Sequence, residues 1–119
     1  MKLSKNFSAY EFDCRCGKCD VTGDQMNKGL IFKLQTIRDI ANKPLPISSG
    51  IRCQAHNNNL PGSSPTSQHL TGNAADIIIQ DSRLRYLVVR AGIKLNMCVG
   101  VSDNFIHLDT RPDGFMWTY

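Results

Sequence analysis

The chain has 119 residues, of which 41% are hydrophobic and 20% are charged. This composition predicts one globular domain with a modest core and excludes disordered and collagen-like chains. No apolar run approaches the roughly 18 residues that span a bilayer, so we expect no membrane insertion. The formal charge is +4. Because the basic residues are scattered rather than arranged in a stripe, we expect no nucleic-acid partner.

The first half of the chain predicts one helix and one strand between two loops. Residues 1–25 lack a regular apolar period and predict a loop-rich N-terminal segment. Apolar residues at helical spacing predict a helix over 25–42, which two prolines end, and a short strand follows at 47–51. Residues 54–73 are rich in Asn, Ser, Pro and Gly, and they predict a long loop of the kind that often carries function.

The second half of the chain predicts a small sheet. A run of isoleucines indicates a buried strand at 74–80, and a second helix is expected over 82–91 with Gly92 as its terminator. Residues 97–101 and 105–109 predict a hairpin. This order of elements predicts an α+β fold, in which the whole chain forms one small domain with a mostly antiparallel sheet and two main helices.

The five cysteines allow three interpretations. Without a secretory leader the default is a set of reduced thiols, some of them simply buried. Alternatively, Cys14, Cys16 and Cys19 supply thiolates to a structural zinc ion, with Cys53 as a fourth ligand, or the cysteines pair as disulfides outside the cell. Their spacing lacks the regular pattern of two CxxC pairs, and Cys98 is left over, so the sequence leaves all three interpretations open.

The histidines carry the strongest chemical signal. His69 stands at the end of the predicted loop and Asp76 in the strand that follows it. A turn centred on Gly72 can bring this imidazole beside the carboxylate, and His107 can join them from another strand. Two histidines and one carboxylate form a zinc site whose fourth position is open, as in catalytic sites. The alternative is a polar trio that satisfies itself inside a small protein.

Residues 67–76 have the pattern Ser-x-His-x-x-Gly-x-Ala-x-Asp. This pattern resembles the signature of the zinc D-Ala-D-Ala carboxypeptidase family, the M15-type peptidoglycan peptidases, which are related to phage L-alanyl-D-glutamate endolysins and to Hedgehog-like zinc folds. Three further blocks, at 3–16, 48–57 and 105–117, resemble other family segments in the same order. The resemblance therefore extends over nearly the whole chain.

The resemblance implies a role for individual residues. His69, Asp76 and His107 are the expected ligands of one catalytic zinc ion on the sheet. Arg52 matches an arginine that holds a substrate carboxylate in relatives, a task that suits the planar fork of its guanidinium. His56 belongs to a His-Asn pair of the family and is expected to anchor the loop through hydrogen bonds.

The identity of the general base is open. A zinc peptidase needs a carboxylate that takes a proton from the attacking water and delivers it to the leaving amine. Many relatives carry this acid three residues before the last histidine, where this chain has Asn104. Asp109 shares a strand face with His107 and is our preferred candidate over Asp103. If Asp109 instead orients a zinc ligand, the base is Asp103 or the chain has none and its activity is weak.

We therefore predict a zinc-dependent metallopeptidase that hydrolyses peptidoglycan stem peptides, as a D-Ala-D-Ala carboxypeptidase or a murein endopeptidase, in phage-type wall degradation. The alternative is a zinc-bearing module that binds the wall, or a phage structural component, without catalysis. The asparagine at position 104 is the feature that keeps this alternative open. The bond that is cleaved does not follow from the sequence.

The expected place of action is the cell wall. Residues 1–7 contain a lysine pair with no apolar segment behind it, so we expect no secretory signal. A wall hydrolase that is made in the cytoplasm then needs another exit to the periplasm or the exterior, such as a phage holin. We expect a monomer whose partner is a peptidoglycan stem peptide, and the positive charge favours an anionic polymer such as the wall.

Overall fold

A five-stranded sheet forms the centre of the computed structural model, which describes residues 1–119. Its strands are β1 (Ile47–Ser49), β2 (Ala74–Ile78), β3 (Cys98–Val101), β4 (Phe105–Asp109) and β5 (Met116–Thr118). Their order across the sheet is β1-β2-β4-β3-β5. Neighbouring strands are antiparallel except β3 and β5, which run parallel. The two strands at the centre, β2 and β4, carry the residues of greatest chemical interest.

Two long helices and one short one accompany the sheet. They are α1 (Lys28–Ala41), α2 (Gln54–Asn59) and α3 (Ser82–Lys94), and 3-10 turns lie at Ala9–Phe12, Gly23–Gln25 and Gln68–Thr71. Each long helix begins after a capping side chain, because Asn27 accepts a bond from the N–H of Leu30 and Asp81 from that of Leu84. None of the helices is both long and apolar enough to cross a membrane.

Strand alternation gives the sheet two different faces. Ile106 and Leu108 of β4 are fully buried in the hydrophobic core, where α1 and α3 pack against each other and α3 packs on β3 and β4. An added Cβ at Gly92 of α3 would lie 2.9 Å from Leu108, so helix and sheet approach closely on this side. Because successive side chains point to opposite faces, His107 and Asp109 face away from the helices.

The predicted α+β fold is confirmed: one domain contains a mostly antiparallel sheet and two main helices. The first helix begins at Lys28 rather than at residue 25, because a 3-10 turn and the Asn27 cap precede it. The hairpin predicted from 97–101 and 105–109 is present as β3 and β4.

Two local predictions are wrong and one strand was not predicted. The segment 54–73 is not a continuous loop, since it contains α2 and a 3-10 turn. Gly92 does not end the second helix, which continues to Lys94 because the glycine is where the helix packs against the sheet. The short strand β5 escaped prediction, because three residues that pair with a single neighbour at the edge give little periodic signal.

Candidate active site

Three buried side chains meet on the open face of the sheet. β2 and β4 pair in a register that sets Asp76 directly opposite His107. His69 comes from the 3-10 turn before β2, which ends at Gly72 with a left-handed φ of 73°. Nε2 of His69 and Nδ1 of His107 lie 3.3 and 2.9 Å from Oδ1 of Asp76. The structure thus brings together the three residues that the sequence predicts as zinc ligands.

Hydrogen bonds on the far side of each imidazole direct a lone pair toward this point. Nδ1 of His69 lies 2.6 Å from the carbonyl oxygen of Gly50, which can only accept, so Nδ1 donates and Nε2 keeps its lone pair. Nε2 of His107 likewise donates to Oδ2 of Asp109 at 2.8 Å, so in the neutral imidazole Nδ1 carries the lone pair that faces Asp76 and would face a metal. Tetrahedral zinc bonds to nitrogen and oxygen at about 2.0–2.2 Å, which spaces its ligand atoms about 3.3 Å apart. The donor set and its spacing fit zinc.

Carboxylates and imidazoles alternate through the site, and each influences the charge of its neighbours. Burial disfavours the charged form of Asp76, but the imidazoles of His107 and His69 beside it hold its pKa well below the usual range. Burial likewise opposes the charge on His107, but Asp109 and Asp76 on either side raise the pKa of this imidazole above its ordinary value of 6.5. Without a metal, the two carboxylates therefore favour protonation of the His107 imidazole, and zinc would supply a positive charge at the same place.

Asp109 lies behind His107 and faces away from the other ligands. Its carboxylate accepts from Nε and Nη2 of Arg111 at 3.0 and 2.8 Å as well as from His107, and the residue has no exposed surface. Despite burial, these bonds hold its pKa well below the usual range. Asp109 therefore has the geometry of a group that orients a metal ligand. Asp103, the other predicted base, is exposed in the turn between β3 and β4.

A cavity of about 660 Å³ opens above the three ligand residues. Segment 60–68 lines one side, and aromatic side chains line the other, at Phe105, Phe115, Trp117 and Tyr119. The Trp117 ring lies over Gly100, where an added Cβ would be 2.7 Å from it, and its centre is 5.1 Å from that of the His107 ring. Asp76 is the only acidic residue that lines the cavity, so neither Asp109 nor Asp103 borders it.

The chain was compared with protein-family models and with curated proteins. A family model described as Peptidase M15 matches residues 5–109, which is most of the chain and includes all three predicted ligand residues. The chain belongs to the M15 peptidase family. This confirms the family that the sequence resembles, and its zinc dependence agrees with the donor set on the sheet. None of the curated proteins is similar enough to the chain to count as a match.

Arg52 of this M15 domain lines the cavity beside the ligands. Its Nη2 lies 3.5 Å from Oδ2 of Asp76, its Nη1 donates to Asn57 at 3.1 Å, and its Nε donates to Ser49 at 3.1 Å. Burial lowers the pKa of this guanidinium and Asp76 acts in the opposite direction, but an arginine remains charged at neutral pH. The structure thus holds a fixed cation at the cavity.

The predicted loop anchor is corrected by one residue. No hydrogen bond involves the side chain of His56. Its neighbour Asn57 is fully buried, accepts from Arg52, and donates to the carbonyl of Ser64 at 2.8 Å. Asn57 therefore ties the segment 60–68 to the arginine. Burial explains the exchange of roles, because a buried amide must be satisfied whereas His56 reaches solvent.

Sequence reasoning also missed most of the aromatic side of the cavity in this M15 domain. Phe115, Trp117 and Tyr119 alternate through residues 115–119, which include β5, and this alternation is too short to predict a strand from the sequence. Trp117 is the last residue of the block 105–117 that resembles the family. The cysteines form a second cluster, since the sulfurs of Cys14, Cys16, Cys19 and Cys53 lie within 4.8 Å of one another.

Proposed function

We propose that this protein is a zinc-dependent peptidase that hydrolyses an amide bond in the stem peptides of peptidoglycan. One observation carries the proposal: in a member of the M15 family, Nε2 of His69, Oδ1 of Asp76 and Nδ1 of His107 converge at the bottom of an open cavity. Zinc bound by these atoms would polarise a scissile carbonyl and lower the pKa of a water toward neutrality.

The residues around the ligands suit a short acidic peptide. Arg52 presents a partly buried positive charge at the cavity, and a guanidinium binds a carboxylate through two parallel hydrogen bonds. Stem peptides carry such carboxylates at their C-terminus and on the D-glutamate side chain. Trp117 and Phe115 offer apolar surface for the neutral parts of the peptide. We propose that Arg52 orients the substrate by its carboxylate while these aromatic rings exclude water.

We propose that Asp109 acts on the reaction through His107 rather than on the substrate. Its carboxylate is fully buried, bonded to His107 and Arg111, and absent from the cavity lining. It is therefore a positioning residue that fixes which nitrogen of His107 faces the metal. Since general-base catalysis contributes about 10²–10⁴-fold, a cavity with no acid other than a ligand predicts slow turnover.

The same observation supports a second candidate function. With Asp76 as the only acid at the cavity, the protein could hold zinc and a stem peptide without cleaving it. It would then be a wall-binding or phage structural module. We expect such a binder to have the aromatic side and Arg52 for holding the peptide but no general base at the cavity.

Hydrolysis of purified peptidoglycan distinguishes the two functions. Release of new amino groups is measured for the zinc-loaded protein, for protein treated with a chelator, and after zinc is restored. The His69→Ala variant is compared with His56→Ala, because the His56 side chain makes no hydrogen bond and does not line the cavity. We expect metal-dependent release that His69→Ala abolishes and His56→Ala retains. Binding of the wall without release by any of the zinc-loaded proteins would instead establish the binder.

Mass spectrometry of the released products identifies the bond. Free D-alanine indicates a carboxypeptidase, whereas a new D-glutamate N-terminus indicates an endopeptidase of the L-alanyl-D-glutamate type.

We propose further that the protein is a monomer made in the cytoplasm and reaches the wall through a phage holin. The net charge of +4 supports contact with an anionic wall. Expression with a holin should lyse cells, and expression without one should not. Lysis by the protein alone would overturn this route.

A further inference from the structure

The second cysteine cluster has the spacing of a closed metal site. Sγ of Cys16 lies 3.4 Å from Sγ of Cys19 and 3.9 Å from Sγ of Cys53, and the sulfur of Cys14 completes a group within 4.8 Å. A disulfide would need about 2.05 Å. Four thiolates around tetrahedral zinc, with bonds of about 2.3 Å, lie about 3.8 Å apart. The separations therefore match shared coordination and not cross-linking.

Backbone amides are arranged around these sulfurs. The N–H of Lys18 donates to Cys16, that of Cys53 to Cys14, and that of His56 to Cys53, each over 3.4 Å. Donors that point at sulfur favour the thiolate, which is the form that binds metal. Gly17 takes a left-handed φ of 70° inside the turn that carries Cys16 and Cys19. The turn thus presents both sulfurs to the same side.

We propose that Cys14, Cys16, Cys19 and Cys53 bind a structural zinc ion, distinct from the site on the sheet, and that this ion fixes the position of Arg52. Four protein thiolates fill the tetrahedron, so no position is left for water or substrate. Binding displaces the thiol protons, which pass to solvent, and it joins residues that lie far apart in sequence.

The connection to Arg52 is short. Cys53 follows Arg52 directly and caps α2, the helix that carries Asn57, to which Nη1 of Arg52 donates. The other three cysteines belong to the N-terminal segment, whose Phe12 carbonyl accepts from the N–H of Ile51 at 3.0 Å. An ion shared by both segments therefore holds the backbone on either side of the arginine. The metal site does not depend on the proposed function, whereas the role of Arg52 does.

Metal content tests the site itself. The full chain is purified under reducing conditions without added metal and then loaded with zinc. We expect two equivalents in the wild type, one in Cys16→Ser, one in His69→Ala, and two in Cys98→Ser, a matched cysteine control outside the cluster. One equivalent in the wild type, unaffected by Cys16→Ser, would overturn the proposal.

Cobalt tests the ligands without relying on a variant that folds. Cobalt in a thiolate site gives an intense sulfur-to-metal charge-transfer band, which a site of two histidines and one aspartate cannot produce. We expect this band in cobalt-loaded wild type and in His69→Ala. Absence of the band from wild type that holds two equivalents of cobalt would overturn the cysteine site.

The effect on Arg52 is tested with Cys19→Ser and Cys19→His, since Cys19 is the exposed member of the cluster. We expect Cys19→Ser to raise KM for a stem peptide about tenfold with little change in kcat, and Cys19→His to restore it with the metal. The side-chain Nε–H resonance of Arg52 should broaden in Cys19→Ser alone. An unchanged KM and resonance in a metal-depleted Cys19→Ser would overturn the link. If the peptidase proposal is wrong, the wild type will instead bind two zinc ions and show no hydrolysis.

Discussion

The two groups of candidate metal ligands in this molecule are built on different supports. The ligands on the sheet come from two paired central strands and one turn, and they lie at the bottom of a cavity. The cysteines come from an irregular turn and a helix cap, and they are closed by a fourth thiol. Two rigid strands and the turn joined to β2 hold three side chains in place and leave a fourth position accessible, whereas loop residues need an ion to hold them together. On our two proposals, the open group serves catalysis and the closed group serves cross-linking within one small domain.

The largest expected effect comes from removing one ligand of the open site. His69→Ala should lose one zinc equivalent and more than about a thousandfold in kcat/KM, because a catalytic zinc site needs its protein ligands. Metal analysis and peptidoglycan hydrolysis measure both quantities. The cysteine cluster should keep its ion, and loss of both ions together would contradict the separation of the two sites.

Removing the support behind His107 should have an intermediate effect. Asp109→Asn keeps the shape of the side chain but loses the charge that fixes Nε2–H, so zinc affinity and kcat/KM should each fall about 10–100-fold. Competition with a chelator and hydrolysis rates measure these changes. Asp103→Asn is the matched control in the exposed turn. A larger loss in that control would identify Asp103 as the base.

A smaller effect is expected where the aromatic side meets the sheet. Gly100→Ala would place a Cβ 2.7 Å from the Trp117 ring, so the ring must move and stability should fall by about 1–3 kcal/mol. Gly114→Ala is the control, because its nearest neighbour would be 3.6 Å away. Thermal unfolding and tryptophan fluorescence detect the change. Equal stability of the two variants would show that Trp117 does not pack as described.

The smallest expected effect is a pH dependence confined to the metal-free protein. Because its two carboxylate neighbours raise the pKa of folded His107, the cation stabilises the fold fully below its ordinary pKa of 6.5, and this contribution is lost as pH rises through the raised value. The melting temperature of metal-free protein should therefore decline by a few degrees from pH 6 to pH 9. With zinc bound the decline should disappear, and a decline of equal size in both forms would refute this account.

Much of this organisation was predictable because it depends on local periodicity and on a specific motif. Helical spacing predicted the positions of α1 and α3. The pattern at 67–76 predicted that His69 and Asp76 lie close together, and the structure brings both of them together with His107. The alternation of side chains along a strand predicted that Asp109 lies on the same face of the sheet as His107.

Other features depend on contacts that spacing does not encode. The carboxylate of Asp109 accepts hydrogen bonds from Arg111 and does not border the cavity. This arrangement depends on side-chain packing. Helix α2 is rich in asparagine, which favours loops, and it forms because Cys53 caps it and Asn57 is buried. The cysteine spacing is irregular because its fourth member comes from a distant segment, so only the fold brings the four together.

The carbonyl of Gly50 that orients His69 also makes the candidate metal site depend on the N-terminal segment. A Cβ at Gly50 would lie 2.6 Å from the backbone of Phe12, so the N-terminal segment packs directly behind the residue that holds the imidazole. A shortened version that began at α1 would keep all three candidate zinc ligands but lose the segment that packs against Gly50. A transplanted version of this domain should therefore include the 3-10 turn at Ala9–Phe12 as well as the sheet.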